Sequence, residues 1–256
     1  MKLIKTCSIF AIILALCILI LISTSFILTN VNSFLLLLKD KNFIDALMFG
    51  IKTSVLATIF SALFGIPSGL YLAREKNKFS RLLDSLFDIP LIIPPLVVGT
   101  LLLIFFNIPY IINILNVIFT FKGAVIAQFF ISFPFTVKAA KNAFELIPTT
   151  YEHIAMTLGA SQFRAFYDTT FKLAFNSVLG GLILSWLRSL GEFGATLMIG
   201  GGISGVTANI PIYIYLNMNE GDFQKGLSAS LLIVLFAFIC VITLKIIFAK
   251  KSYYIQ

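Results

Sequence analysis

Charge is scarce in this chain. Asp, Glu, Lys and Arg together make up 12% of its 256 residues, about half the share of an ordinary soluble domain. Hydrophobic residues make up 59% and the mean hydropathy is +1.01. Such a composition excludes a soluble globular protein and places the chain in a bilayer. At 256 residues there is room for roughly six helices of about 20 residues, and none for a separate soluble catalytic domain. Histidine occurs once, at His153, which excludes a histidine-rich metal site. The cysteines Cys7, Cys17 and Cys240 form no CxxC pair and fall in or beside apolar runs. They are expected to serve apolar packing and imply neither disulfide nor metal. No GxxxxGK[ST] loop is present to cradle nucleotide phosphates, so any ATP hydrolysis belongs to another subunit. The carboxylates are scattered, with no acid and base beside a nucleophile, and enzyme chemistry has little to stand on.

The apolar runs themselves carry the organisation. Ser8 to Thr29 is 22 residues without a charge, longer than the roughly 7 to 15 residues of a signal-peptide core, and reads as a retained first helix. Further spans are expected over Ser54 to Leu72, Leu86 to Phe106, Gly123 to Val137, Asn176 to Met198 and Leu227 to Phe248. The fold class is therefore an all-α polytopic membrane protein of about six transmembrane helices. Ile108 to Phe121 is also apolar, but Pro109, Asn113 and Asn116 interrupt it, so it is expected to lie at the interface or re-enter. No internal repeat, low-complexity tract or linker divides the chain. Two inverted halves in one chain would call for paired broken helices, so a pore lined by two copies is the more natural arrangement.

The formal charge of +8 is not a nucleic-acid signal, because the basic residues sit at the ends of apolar runs and not on one face. With the N-terminus inside, Lys2, Lys5, Arg74, Lys76, Lys78, Arg81, Lys138, Lys141, Arg164, Lys172, Lys250 and Lys251 fall on the cytoplasmic side. Lys39, Lys41, Lys52, Lys122 and Lys225 fall outside. Twelve against five follows the positive-inside rule.

The one long polar interruption, Ile147 to Phe171, then lies in the cytoplasm. Thr149 and Glu152 have capping-box spacing. Gly159 suits the left-handed residue that ends a helix at Leu158, and Ser161 is placed to cap a second helix through Phe171. Helix, glycine turn, helix is a shape that another protein can grip. Within the spans, Arg188 and Glu192 are four apart on one helix face. They are either a polar element facing the pore or a gate, or a structural pair locking the helix to a neighbour. Asp84 and Asp88 also share a face and read as solvated interfacial charges, with Arg81 offsetting one of them. Pro90, Pro94 and Pro95 must remove backbone hydrogen bonds, which points to a hinge or kink lining the path. Gly200, Gly201, Gly202 and Gly205 read as an exit turn, with no basic residue to make them an anion nest.

The glycine turn resembles the coupling loop of permease subunits of binding-protein-dependent ABC importers. That family carries Glu-Ala-Ala, three residues, Gly, nine residues and Ile-x-Leu-Pro. With the family glycine on Gly159, the Glu-Ala-Ala positions hold His153, Ile154 and Ala155, with Glu152 one residue early. Of Glu-Ala-Ala only the second alanine is retained, and the distal positions hold Thr169, Phe171 and Lys172, so the Ile-x-Leu-Pro end is also lost. The segments LLDSLFDIPLIIPPLVVGTLLL at Leu82 to Leu103, KGAVIAQFFISFPFTVKA at Lys122 to Ala139 and RSLGEFGATLMIGG at Arg188 to Gly201 look like the molybdate-type and tungstate-type permeases. Sulfate permeases are similar throughout but typically carry Glu-Tyr-Gly where this chain has Glu192, Phe193 and Gly194.

The resemblance covers about residues 45 to 248. It implies a type I ABC importer permease domain there, preceded by an N-terminal helix and outer loop over 1 to 44 and followed by a short cytoplasmic tail over 249 to 256. It further implies a multi-pass cell-membrane subunit that imports molybdate or tungstate, working as two copies of itself with two ABC ATPase subunits and an extracytoplasmic oxyanion-binding protein. No cofactor is expected on this chain, since ATP and Mg belong to the partner ATPase. The ATPase-coupling loop would be carried by Thr149, Glu152, His153, Ala155, Gly159, Ala160, Ser161 and Arg164. The candidates for a pore or gate are Pro94, Pro95, Arg188, Glu192 and Thr196. Closing the ATPases would draw the helices flanking Gly159 together and switch the pore from inward-facing to outward-facing. A sulfate permease is the near alternative. An ion-coupled secondary transporter or channel would need relay carboxylates deep in several spans, where only Glu192 qualifies.

Overall fold

The computed structural model describes the backbone of residues 2–252 and the side chains of residues 7–30 and 32–243. The side chains of Lys2, Lys5, Lys250 and Lys251, and the end of the tail beyond Ser252, lie outside those described. Among the described residues every regular element is helical. In chain order they are α1 Lys2–Leu28, α2 Val31–Leu37, α3 Lys41–Arg74, α4 Lys78–Ile92, α5 Pro95–Phe106, α6 Pro109–Ile114, α7 Phe121–Glu145 and α8 Thr150–Thr157. Then come α9 Gln162–Phe166, a π-helical turn Tyr167–Phe171, α10 Lys172–Leu190, α11 Gly194–Gly200, α12 Ile210–Asn219 and α13 Phe223–Ser252. Among the described residues five helical stretches are long and apolar enough to cross a membrane, and six if the bent pair α4 and α5 is one span.

The chain divides into two units, one of residues 45–212 and one joining the residues up to Ile44 with those from Tyr213 onward. In the larger unit α7 is the axis. Thr120 caps it by accepting from the Gly123 N–H at 3.3 Å. Small residues let neighbouring helices come close, as they do where packing has no hydrophobic drive from water. A Cβ on Gly181 of α10 would fall 2.0 Å from that of Ala139, and one on Gly69 of α3 would fall 2.6 Å from that of Ala140. Polar side chains bridge the same helices in the interior. Ser185 donates to the Ser132 carbonyl at 2.9 Å, Ser61 and Ser132 lie 3.3 Å apart, and Trp186 donates to Ser54 at 3.1 Å. The amphipathic helix α4 is tied to α7 by ions. Lys138 meets both Asp84 and Asp88, and Lys141 meets Asp84 at 2.7 Å. These carboxylates are therefore not solvated charges offset by Arg81, as their position near a span end suggests. The lysines of a distant helix claim them.

Two expected spans are broken. Leu86 to Phe106 turns by 108° between α4 and α5. Ile93 (φ −74°, ψ 136°) and Pro94 (φ −54°, ψ 135°) are both extended, because a following proline bars each from helical geometry. The run Asn176 to Met198 stops at Leu190, and Glu192 lies in the gap before α11. The stretch Ile108 to Phe121 contains the short helix α6, in keeping with its interruptions. Positive φ at Gly201 and Gly202 turns the chain after α11.

In the smaller unit, Gln224 of α13 bonds the α1–α2 connection, donating to the Leu28 carbonyl at 3.4 Å and accepting from the Asn30 N–H at 3.3 Å. Tyr213 donates to Asp40 at 3.1 Å and stands edge-on to Phe43. Asp222 is held below its usual carboxyl range by the Lys225 backbone N–H and its ammonium. No residue of Cys7–Leu28 is fully buried. Cys7 and Cys17 are accordingly exposed and Cys240 only half-buried, which overturns the expectation that they pack inside. Cys7 and Cys17 stand on α1 and Cys240 on α13.

The tight seam between α7 and α10 can be tested at adjacent positions. Gly181→Ala is expected to lower the thermal midpoint of the purified chain, through overpacking worth about 1 to 3 kcal/mol. Gly180→Ala, whose methyl meets nothing within 4 Å, should leave it unchanged or slightly higher through helix propensity. Thermal melts in one detergent compare the two, and equal midpoints would show that the helices part freely.

Candidate functional site

Two polar constellations stand out, one at each end of α10. The first is the segment 147–171. Helix α8 ends in a Schellman motif, with the Ala160 N–H on the Ala155 carbonyl and the Gly159 N–H on the Met156 carbonyl, both at 3.0 Å. Gly159 takes φ +90°, a backbone state that L side chains rarely adopt. Ser161 then accepts from the Arg164 N–H at 3.4 Å and starts α9. The glycine turn and second cap stand where the sequence places them, but two details differ. Thr149 makes no side-chain cap, and Glu152 does not reach back to it. Glu152 turns to Arg74 of α3 at 2.7 Å and accepts from the Thr170 hydroxyl. The capping box loses to a full charge partner. The second helix also does not stop at Phe171, because the π-helical turn runs directly into α10. His153 is exposed, Arg164 is open to solvent and pairs with Asp168 at 3.5 Å, and Ala160 is half-buried.

Apolar side chains stand out from this segment on both sides of Gly159. Leu158 is 83% exposed and Phe163 78%, with Phe163, Tyr167 and Phe171 stacked in succession. Exposed apolar surface of this kind, on a rigid turn, marks a contact face.

The second constellation surrounds the break after α10. Glu192 is 1% exposed. Its carboxylate accepts from Arg188 at 2.7 Å and from the Ala195 N–H, the start of α11, at 2.9 Å. Asn209 donates to the Glu192 carbonyl at 2.6 Å and accepts from the Ile212 N–H. The pair is thus formed, but as a knot that holds a helix break and not across one continuous helix face. Neighbouring Ser189 donates to Gln128, seven residues into α7, or about 10 Å from its start at 1.5 Å per residue. The charges therefore lie within the span region, where an ion must face protein or water. Gly194 packs on the α4–α5 bend, where an added Cβ would stand 2.9 Å from the Leu96 N and 3.4 Å from the Pro95 carbonyl carbon. Pro95, Glu192 and the fully buried Thr196 thus belong to one neighbourhood, with Pro94 exposed at its edge. The Thr196 hydroxyl and the Gln128 amide nitrogen have no hydrogen-bond partner among the described residues. Arg74, Thr170 and Asn209 escape sequence reasoning. Arg74 shows there only as a topology charge, and nothing local marks Thr170 or Asn209.

Residues 65–250 match the model of the binding-protein-dependent transport system inner membrane component. This chain belongs to that family. Among its relatives, a molybdenum transport system permease protein ModB of Escherichia coli is 35% identical over 196 residues, covering 71% of this chain and 82% of that protein. A molybdate/tungstate transport system permease protein WtpB of Thermococcus kodakarensis is 35% identical over 180 residues, covering 70% and 69% respectively. The fold is likewise that of type I ABC importer permeases. A bacterial ABC transporter that imports alginate superposes with a TM-score of 0.67 at 15% identity, covering 94% of this chain and 95% of that one. In this inner membrane component the knot at Glu192 and the segment around Gly159 are joined by the 19 residues of α10.

The knot makes an ordered prediction. Glu192→Gln keeps an acceptor for Ala195 but leaves the Arg188 guanidinium without its countercharge, at a cost of about 3 kcal/mol. The double variant Arg188→Met/Glu192→Gln removes both charges and should melt at a higher temperature than Glu192→Gln alone. Melting curves of the two proteins decide this, and the reverse order would mean that Arg188 is held by something other than Glu192.

Proposed function

We propose that this chain is the membrane permease subunit of an ATP-driven importer of molybdate or tungstate. The observation that carries the reading is the extent of similarity to curated molybdenum and molybdate/tungstate permeases, about a third of residues over some seven tenths of the chain. Phe193 supports it against sulfate permeases, which typically have tyrosine there. Two copies would enclose the path, since a single chain carries one set of spans and a dianion needs a hydrated or protein-lined route. The subunit itself is non-catalytic and binds no cofactor. Two ATPase subunits would hydrolyse ATP with Mg, and an extracytoplasmic binding protein would deliver the oxyanion.

The coupling surface is assigned to Thr149, Glu152, His153, Ala155, Gly159, Ala160, Ser161 and Arg164, facing the cytoplasm with the N-terminus as the twelve-to-five distribution of basic residues supports. The exposed Leu158 and Phe163 would enter a cleft of the ATPase. Pro94, Pro95, Arg188, Glu192 and Thr196 are assigned to the gate, where two breaks in the spans meet. With Arg188 already paired to Glu192, selectivity rests mainly in the binding protein.

Gentle purification of the chain from native membranes, with mass spectrometry of what accompanies it, tests the assembly. A Walker-motif ATPase at equal stoichiometry is expected, and an intact oligomer without one, even with trapped nucleotide, would overturn the reading. Uptake of labelled molybdate should be competed by excess tungstate and little by sulfate. Gly159→Val should abolish uptake while ATP hydrolysis continues and the chain stays inserted. Gly159→Asn should retain more transport, because asparagine tolerates the left-handed region. An added Cβ at 159 meets nothing within 4 Å, so the difference reports backbone strain alone, and full uptake by the valine variant would refute the docking role.

A further inference from the structure

We infer that Arg74 is the positioning residue that transmits movement of the coupling segment into the membrane helices, an inference that rests on the coupling role proposed above. Arg74 is the last residue of α3, and its guanidinium reaches three separate pieces of chain. One terminal nitrogen donates to the Ile147 carbonyl, in the turn after α7, at 3.0 Å. The other donates to Glu152 of α8 at 2.7 Å and lies 3.4 Å from the hydroxyl of Thr170 in the π-helical turn. Thr170 donates in turn to the same carboxylate oxygen of Glu152. The side chains of Arg74 and Glu152 are 23% and 17% exposed and Thr170 is fully buried. The junction is thus shielded enough for charge-assisted bonds to hold.

Packing alone fixes α8 poorly, since none of its residues is buried. A displacement of α8 therefore reaches the membrane helices through its chain connections and its polar ties, and the tie at Glu152 ends on α3, on the exit of α7 and on the entry to α10. The planar fork of arginine suits this task, because its nitrogens bond in different fixed directions, whereas a lysine ammonium is a single point. The π-helical turn has a matching part. A widened turn carries one residue more than an α-turn and shifts the helical register by about 100°. That shift brings the Thr170 hydroxyl inward to Glu152 while the next turn continues as α10.

The test uses the complete transporter in proteoliposomes, with its ATPase and molybdate-loaded binding protein. Two quantities are read, molybdate imported per ATP hydrolysed and ATPase retained by the complex on purification. Arg74→Met should keep the ATPase bound and hydrolysing, while import per ATP falls at least tenfold. Arg74→Lys, which keeps the charge but not the fork, should fall about fivefold. The reciprocal exchange Arg74→Glu/Glu152→Arg restores the ion pair but leaves the Ile147 carbonyl without its donor, and should stay at least about fivefold below the wild type. Should Arg74→Met fail to assemble, Glu152→Gln and Thr170→Val remove contacts at constant shape and are expected to lower the same ratio. A wild-type ratio in Arg74→Met, or in both of those substitutes, overturns the inference, as does loss of the ATPase in every variant, which would make the junction a docking support only. A wild-type complex that holds its ATPase yet imports no molybdate or tungstate counts instead against the proposed substrate.

Discussion

Close approach to α7 is the constraint on which the rest of the structure depends. In a bilayer the helices gain nothing from leaving lipid for one another except dispersion contact and internal hydrogen bonds. Both require short distances. Gly69 and Gly181 supply them, each where any side chain would collide with an alanine of α7. Once α3 and α10 lie that near, Ser61 and Ser185 can reach Ser132, and Trp186 can reach Ser54, inside the apolar interior. Burial of those groups without partners would be costly. The lysines at the far end of α7 then find Asp84 and Asp88 and hold α4 in place.

The two broken spans follow from this frame. The bend between α4 and α5 and the gap between α10 and α11 each expose backbone groups that lipid cannot satisfy. They are placed against each other, with Gly194 seated on the bend, and Glu192 and Asn209 take up the donors and acceptors left at the second break. A carboxylate shared between a guanidinium and a helix start is well suited to such a place, because it neutralises a half-buried cation and caps α11 at once. At the other end of α10, Arg74 gathers the loose ends of four segments in a similar way. The helix that links these two polar junctions is also a direct covalent connection between the segment proposed to meet the ATPase and the proposed gate.

How much of this was legible beforehand follows from the range of each interaction. Gly159 and Ser161 were readable because their geometry is set within a few residues, by a left-handed turn and a side chain that caps its own helix. The spans were readable from composition, and the proline triplet announced a break in α4 and α5. The extent of that break, 108°, was not readable, nor was the end of α10 before Glu192. Thr149 and Glu152 had the right spacing for a capping box, yet the distant Arg74 outcompeted the local donor. Arg81 was the nearest cation to Asp84 and Asp88 in sequence, while Lys138 and Lys141 were nearer in space.

The sequence by itself thus determined that the chain is a helical membrane protein with a glycine-hinged polar segment, and the matching segments around Leu82 to Leu103, Lys122 to Ala139 and Arg188 to Gly201 determined its family. Hydropathy, proline and glycine act locally, so their consequences are written in order along the chain. Only the tertiary structure decided which charge meets which, where the spans break, and that Arg74, Thr170 and Asn209 matter at all. Those outcomes depend on helices that are remote in sequence arriving within about 3 Å of one another, the distance at which hydrogen bonds and ion pairs choose their partners.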